Sequence, residues 1–152
     1  MTGFNHGLTG AVIALSIKQP ALAIVLAFLS HFVTDLVPHW NYGSNPDDHS
    51  FNNHFKLILA SDFLLSVVLM GVLGVVFPAH RWLIWGCMVA AACPDLMWAY
   101  YFIYIEHIKK ARPKFDWLAK LHIKVQWSQT PKGIYVECAW AITMGVLIFN
   151  FR

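Results

Sequence analysis

Charge is what this 152-residue sequence has least of. Asp, Glu, Lys and Arg make up 12% of it against 58% hydrophobic residues, about half the charge of an average soluble domain. With a mean hydropathy of +0.54, that scarcity excludes a disordered chain and a coiled coil and argues against an ordinary soluble enzyme. Cysteine is nearly as scarce. Cys87, Cys93 and Cys138 stand in apolar runs with no C-x-x-C pair, so neither a zinc ribbon nor a disulfide framework is supported. All three read as small packing residues. Asn5 and His6 occupy the place where a signal peptide would carry Lys or Arg, and no cleavable signal is expected. No internal repeat or low-complexity tract is visible. The net charge, 11 − 8 = +3, is too small and too unevenly spread for nucleic-acid binding, and no nucleic acid is expected as a partner.

Apolar residues are what the chain has in abundance. They form five segments, 7–17, 21–37, 55–77, 82–105 and 133–151. The expected fold is therefore all-α, a single membrane-embedded domain over 1–152: a polytopic integral membrane helical bundle of about five helical segments. Crossing a bilayer takes about 20 residues, so the last three segments are long enough and the second suffices. The first is too short, and is expected to form half of a tight helical hairpin with the second. Aromatic residues reach 15%, with seven Trp, which suits anchoring at membrane interfaces. Seven of the eleven Lys and Arg fall between Lys109 and Lys132, and short basic loops stay in the cytoplasm. The N-terminus and the loop 38–54 then share that side, while Arg81 and Arg152 face the other. Within the interfacial loop 106–132, Phe115, Leu118, Leu121 and Val125 share a helical face, with Lys114, Lys120 and Lys124 largely off it. That pattern reads as an interfacial amphipathic helix with its lysines toward anionic headgroups; the alternative is a solvated connector.

Against this apolar background, a few ionisable residues stand where a bilayer penalises them. His31 and Asp35 lie in the second segment, Asp62 in the third, Asp95 in the fourth and Glu137 in the fifth. Each such group costs about 2.5–3.5 kcal/mol near a bilayer centre, and usually serves a function. At about 1.5 Å per residue, Asp62 lies about 10 Å in from Phe55, His31 about 9 Å from Val37, Asp95 about 15 Å from Ile105 and Glu137 about 6 Å from Gly133. All are measured from the cytoplasmic end, where His6 and His39 also flank the hairpin. Carboxylates gathered in one layer repel unless a cation holds them ionised. His31 and Asp35, at i and i+4, share a helix face, and His39 can reach back beyond Pro38. Imidazole with carboxylate suits zinc first, then manganese or iron. Taken singly, each has a plainer reading. Asp62 would accept a hydrogen bond from a neighbouring helix, Asp95 would start a helix after Pro94, and Glu137 would pair with Lys132 or Lys124. Isolated histidines such as His49, His54, His80 and His107 read as surface or interface residues.

The run from Ser30 to His39 (SHFVTDLVPH) resembles the H-F-x-x-D…P…H signature of the zinc-dependent phospholipase C and single-strand nuclease superfamily. His6 before Gly7, with Pro94-Asp95 in a later apolar segment, is similar to the membrane-bound metal-dependent hydrolases grouped near it. The resemblance covers His6 to about Asp95. It implies an α-helical fold with a polynuclear zinc site that hydrolyses phosphate esters. The chain departs from the soluble enzymes in a shorter Asp-to-His step and in lacking a second H-x-x-x-D or H-x-x-x-E; His122 and Gln126 give only H-x-x-x-Q. One or two zinc ions are therefore expected rather than three.

The resulting expectation is a hydrolase of the inner, cytoplasmic membrane, its site facing the cytoplasmic leaflet and its substrate a lipid-like phosphoester. His6, His31, Asp35, His39 and Asp62 are the first-choice ligands. Asp95 is a ligand or the general base, and Glu137 is the weaker candidate for proton transfer. Two alternatives stand beside this. A transporter or channel component would need polar groups through the whole thickness, and stretches 67–76 and 141–149 contain almost none. A non-catalytic, metal-stabilised scaffold fits the same residues.

Overall fold

A computed structural model describes residues 1–40, 53–110 and 114–152. The described residues are helical and contain no strand. Helix α1 (Gly3–Ser16) starts where the Thr2 hydroxyl accepts the Asn5 N–H, and α2 (Pro20–Asp35) starts on a proline in its first turn, a position that needs no N–H donor. Helix α3 (Asn53–Val76) is the longest; α4 (Arg81–Ala92) follows after Pro78. Of these, only α3 is long and apolar enough to cross a membrane, over Lys56–Val76.

Segment 82–105 is one apolar run in the sequence, but its helix changes character at Pro94. A proline has no N–H for the carbonyl four residues back and its ring crowds that carbonyl. Here that carbonyl belongs to Ala90, and the Cys93 thiol takes it instead at 3.3 Å. The chain tightens into a 3-10 turn (Cys93–Asp95), then continues as α5 (Leu96–Ala99) and a π-helix (Tyr100–Ile108). Within 106–132 the described helix is α6 (Trp117–Val125), capped by the Asp116 carboxylate on the Ala119 N–H, and it passes through a 3-10 turn (Gln126–Ser128) toward α7 (Gly133–Phe149).

Short α1 is the centre of the bundle, in contact with α2, α3, α4 and α7. Small residues make that possible. Ala11, Ala14, Ala23, Ala27, Cys87 and Ala91 are fully or almost fully buried among Leu8, Ile84 and Met88. At Gly10 a Cβ would collide with the Cys87 carbonyl oxygen, so the two helix backbones touch. Gly133 plays the same part for α7, where a Cβ would collide with the His39 carbonyl. The large apolar side chains point the other way. Leu57, Phe63, Leu64, Val68 and Val75 of α3 are exposed, as are Val25, Leu29 and Val33 of α2 and Ile142, Val146 and Phe149 of α7. The interior is rich in small residues, and much of the exterior is large and apolar.

The contact at Gly10 is testable. Gly10→Ala should cost about 1–3 kcal/mol, the usual range for overpacking. At Gly71 and Gly145 a Cβ would meet no atom within 4 Å, so Gly71→Ala and Gly145→Ala should be neutral or stabilising by up to about 1 kcal/mol. Thermal unfolding of the three purified variants makes the comparison.

Candidate metal centre

Five side chains from four parts of the chain meet at the end of the bundle where α1 begins and α2 ends. Asp35, fully buried in the last turn of α2, lies at their centre. Its Oδ1 is 3.2 Å from His6 Nε2; its Oδ2 is 3.4 Å from His31 Nε2 and 2.8 Å from His122 Nε2. Asp95 faces the same nitrogens at 3.9, 3.8 and 3.5 Å. The His6 and His31 rings stack with centroids 4.0 Å apart. Phe32 meets His31 and His122 edge-on, and Trp98 lies across His122 at 5.5 Å. The three imidazoles and Asp35 are shut in, while the Asp95 side chain is 31% exposed and is the cluster's open member. The Met1 amino group also lies against Asp35 Oδ1, and the Gln126 amide donates to Oδ2 at 3.3 Å.

Hydrogen bonds on the far side of the rings settle where two protons reside. His31 Nδ1 is 2.8 Å from the Ala91 carbonyl, which can only accept, so Nδ1 carries the hydrogen. The Thr34 hydroxyl donates to the His31 carbonyl at 2.9 Å, leaving its oxygen to accept from His6 Nδ1 at 3.0 Å. In both rings Nε2 is then the nitrogen that faces the carboxylate oxygens. His6 Nε2 has no hydrogen bond despite its 3.2 Å approach to Asp35. Lone pairs facing carboxylates repel unless a cation lies between them, and imidazole oriented from behind by a carbonyl or hydroxyl is the usual state of a metal ligand. The spacing agrees. With bonds of about 2.0–2.1 Å, tetrahedral zinc holds its ligand atoms about 3.3 Å apart, against 2.8–3.9 Å here. Two overlapping triads, His6–His31–Asp35 and His31–Asp95–His122, each with donor atoms within 4.8 Å of one another, share His31.

The other expected site residues lie elsewhere. Asp62 accepts the N–H groups of Gly3 and Phe4 at 2.8 and 3.0 Å; it serves the free donors of α1's first turn, the plainer of its two readings. Glu137 is buried with its oxygens taken by Trp40 N–H at 3.1 Å, Thr2 N–H at 3.2 Å and the Asn5 amide at 3.1 Å. It ties α7 to α1 and to the chain after α2, not to Lys132 or Lys124. His39 is buried, its Nδ1 bonded to the Val37 carbonyl at 2.8 Å and its Nε2 unpartnered. Burial, and next the positive N-terminus, hold its pKa below the ordinary value. It belongs to neither triad. His49 lies outside the described residues, as do the side chains of His54 and His107.

His122 is the donor that sequence reasoning passes over. Its one signal is the i, i+4 pair His122–Gln126, which is weak because Gln is not a carboxylate. Both side chains in fact reach Asp35. The inward turn of His122 also reorients α6. Leu118 and Val125 come to lie half-buried beside it, while Leu121 stays exposed. No family model, curated protein or solved structure matches the chain.

The two capping bonds of Asp62 allow a direct check. Asp62→Ala should lower stability by about 0.5–2 kcal/mol, the range for a lost helix cap, measured by denaturant unfolding, and should leave the metal content of the purified protein unchanged. Loss of metal in this variant would make Asp62 a ligand.

Proposed function

We propose that the chain is an integral membrane, metal-dependent hydrolase whose ion is held by His6, His31, His122 and Asp35, with Asp95 beside it as the general base. The observation that carries the metal half is the pair of fixed tautomers. Thr34 and the Ala91 carbonyl leave Nε2 of His6 and His31 facing two carboxylates, an arrangement that a metal ion would satisfy. Three imidazoles with carboxylate oxygen suit zinc first, manganese or iron next. Bound there, such an ion supplies Lewis acidity at an ester or phosphoryl oxygen and makes water nucleophilic at neutral pH.

The protein's own residues divide the remaining work. Asp35 and the three buried histidines hold and orient. Phe32 and Trp98 cover the imidazoles, excluding water from that side. Asp95, the one open member, is positioned to take a proton at a carboxylate oxygen from the attacking water and return it to the leaving group. The resemblance of residues 30–39 to the zinc-dependent phospholipase C superfamily supports a phosphoester substrate.

Membrane placement is supported by α3 and by the exposed apolar side chains of α2, α3 and α7. Helices joined through Gly and Ala, with Leu, Val and Phe outside, are the packing style of lipid-embedded bundles. The lysines of 109–132 favour the cytoplasmic leaflet for the site end. A lipid-like substrate presents its headgroup at that depth without leaving the bilayer.

Elemental analysis of detergent-purified protein should find one equivalent of transition metal. Thr34→Val removes the acceptor behind His6 and should weaken retention by about 10–100-fold, the usual cost of losing an orienting partner; His31→Ala should abolish it. Metal-free wild type that zinc does not stabilise would sink the metal reading. Asp95→Asn separates catalysis from binding. It should keep the ion while hydrolysis of phosphoester lipids falls by about 100-fold or more. A metal-loaded wild type that turns over no phosphoester, carboxylic ester or amide would make the ion structural.

A further inference from the structure

Helix α6 has two faces that serve different neighbours. Its inner face buries Ala119 and His122, with Leu118, Val125 and Gln126 half-buried. Its outer face carries Trp117, Lys120, Leu121, Ile123 and Lys124, and Trp127 follows in the next turn; the two Trp are 75% and 76% exposed. Lys114 and Lys132 are exposed at the ends of the same stretch. Asp116 is its acidic member, and that carboxylate is engaged in capping the Ala119 N–H at 2.9 Å. Four lysines thus stand among exposed indoles.

We propose that this outer face docks on the anionic phospholipid headgroups of a bilayer, and that the contact sets, through His122, how firmly the cluster retains its ion. The coupling rests on the metal reading above. Indole rings settle at headgroup depth, with lysines on lipid phosphates. The surface continues onto exposed Ile134 and Tyr135 at the start of α7, so the basic face and the apolar wall of the bundle adjoin. At its ends the segment is held by the Asp116 N–H on the Tyr101 hydroxyl at 3.2 Å, the Ser128 hydroxyl on the Leu36 carbonyl at 3.1 Å and the Thr130 N–H on the His39 carbonyl at 3.0 Å. Between those ties, His122 and Gln126 reach Asp35. A surface that steadies α6 therefore steadies one imidazole ligand directly.

The test compares the full chain in nanodiscs of phosphatidylcholine alone and of phosphatidylcholine with phosphatidylglycerol. Amide hydrogen exchange over 114–128 reads the docking, and Zn2+ loss to a chelator reads the coupling. Anionic discs should slow both by about tenfold, the scale of one to two lysine–headgroup contacts. Lys120→Gln/Lys124→Gln should remove both differences, and Lys18→Gln, in the α1–α2 turn, should remove neither. Zinc held equally in both discs with unchanged exchange overturns the proposal and leaves the metal reading standing. Slowed exchange in a chain that binds no zinc in either disc overturns the coupling together with the metal reading, and supports the docking alone. Equal protection by soluble heparin in phosphatidylcholine discs overturns the bilayer as the occupant.

Discussion

The approach of α1 to α4 at Gly10, backbone against the Cys87 carbonyl, sets the height and rotation of His6. A helix of 14 residues surrounded by four others has room for a polar end only if its own core face is nearly bare. Gly7, Gly10, Ala11 and Ala14 provide that face, and His6 and Asn5 follow on the turn nearest the site. Asp62 and Glu137 hold that turn from two sides by accepting its N–H groups. The imidazole of His6 can then stack on His31 and share Thr34 with it. Removing the close contact would not merely loosen a core. It would slide one ring relative to the carboxylate both rings address.

Much of this is legible in the residues because helices have a fixed period and chemistry has a short list of ligands. His31 and Asp35, four apart, lie together as the spacing requires, and His6 and Asp95 join them at the same end of the bundle. What the residues do not disclose is the choice between a ligand and a cap. Asp62 and Glu137 have the same depth and charge as cluster members, yet each meets backbone or amide N–H groups. That outcome depends on which helix start lies opposite, information that no local pattern carries. His122 is hidden for the converse reason. It sits in a loop dominated by lysines, and its i+4 partner is an amide. The break at Pro94 is visible as a proline but not as a rescue, since the Cys93 thiol that takes the Ala90 carbonyl has no sequence signature.

The distribution of size and polarity ties the two halves of the functional reading together. Burying Asp35 with three imidazoles is costly in an ordinary core, because each unpaired group is desolvated. Here Asp35 is met by the Met1 amino group, His122 and the Gln126 amide, and many of the large apolar side chains are on the outside. The polar pocket and the apolar exterior follow from one packing rule, small residues inward.

The position of Asp35 in the chain also fixes an order of events during synthesis. Its partners are Met1, His6 and His31 on one side, all made before it, and His122 and Gln126 on the other, 87 and 91 residues later. Chains fold from the N-terminus as they are made, so a nascent chain of the first two helices already presents two imidazoles and one carboxylate. If the cluster binds an ion as proposed, this half-built part would be able to take it up before α4 and then α6 arrive. His122 is thus the late arrival in time, and a chain stalled before residue 122 would leave the cluster without one wall.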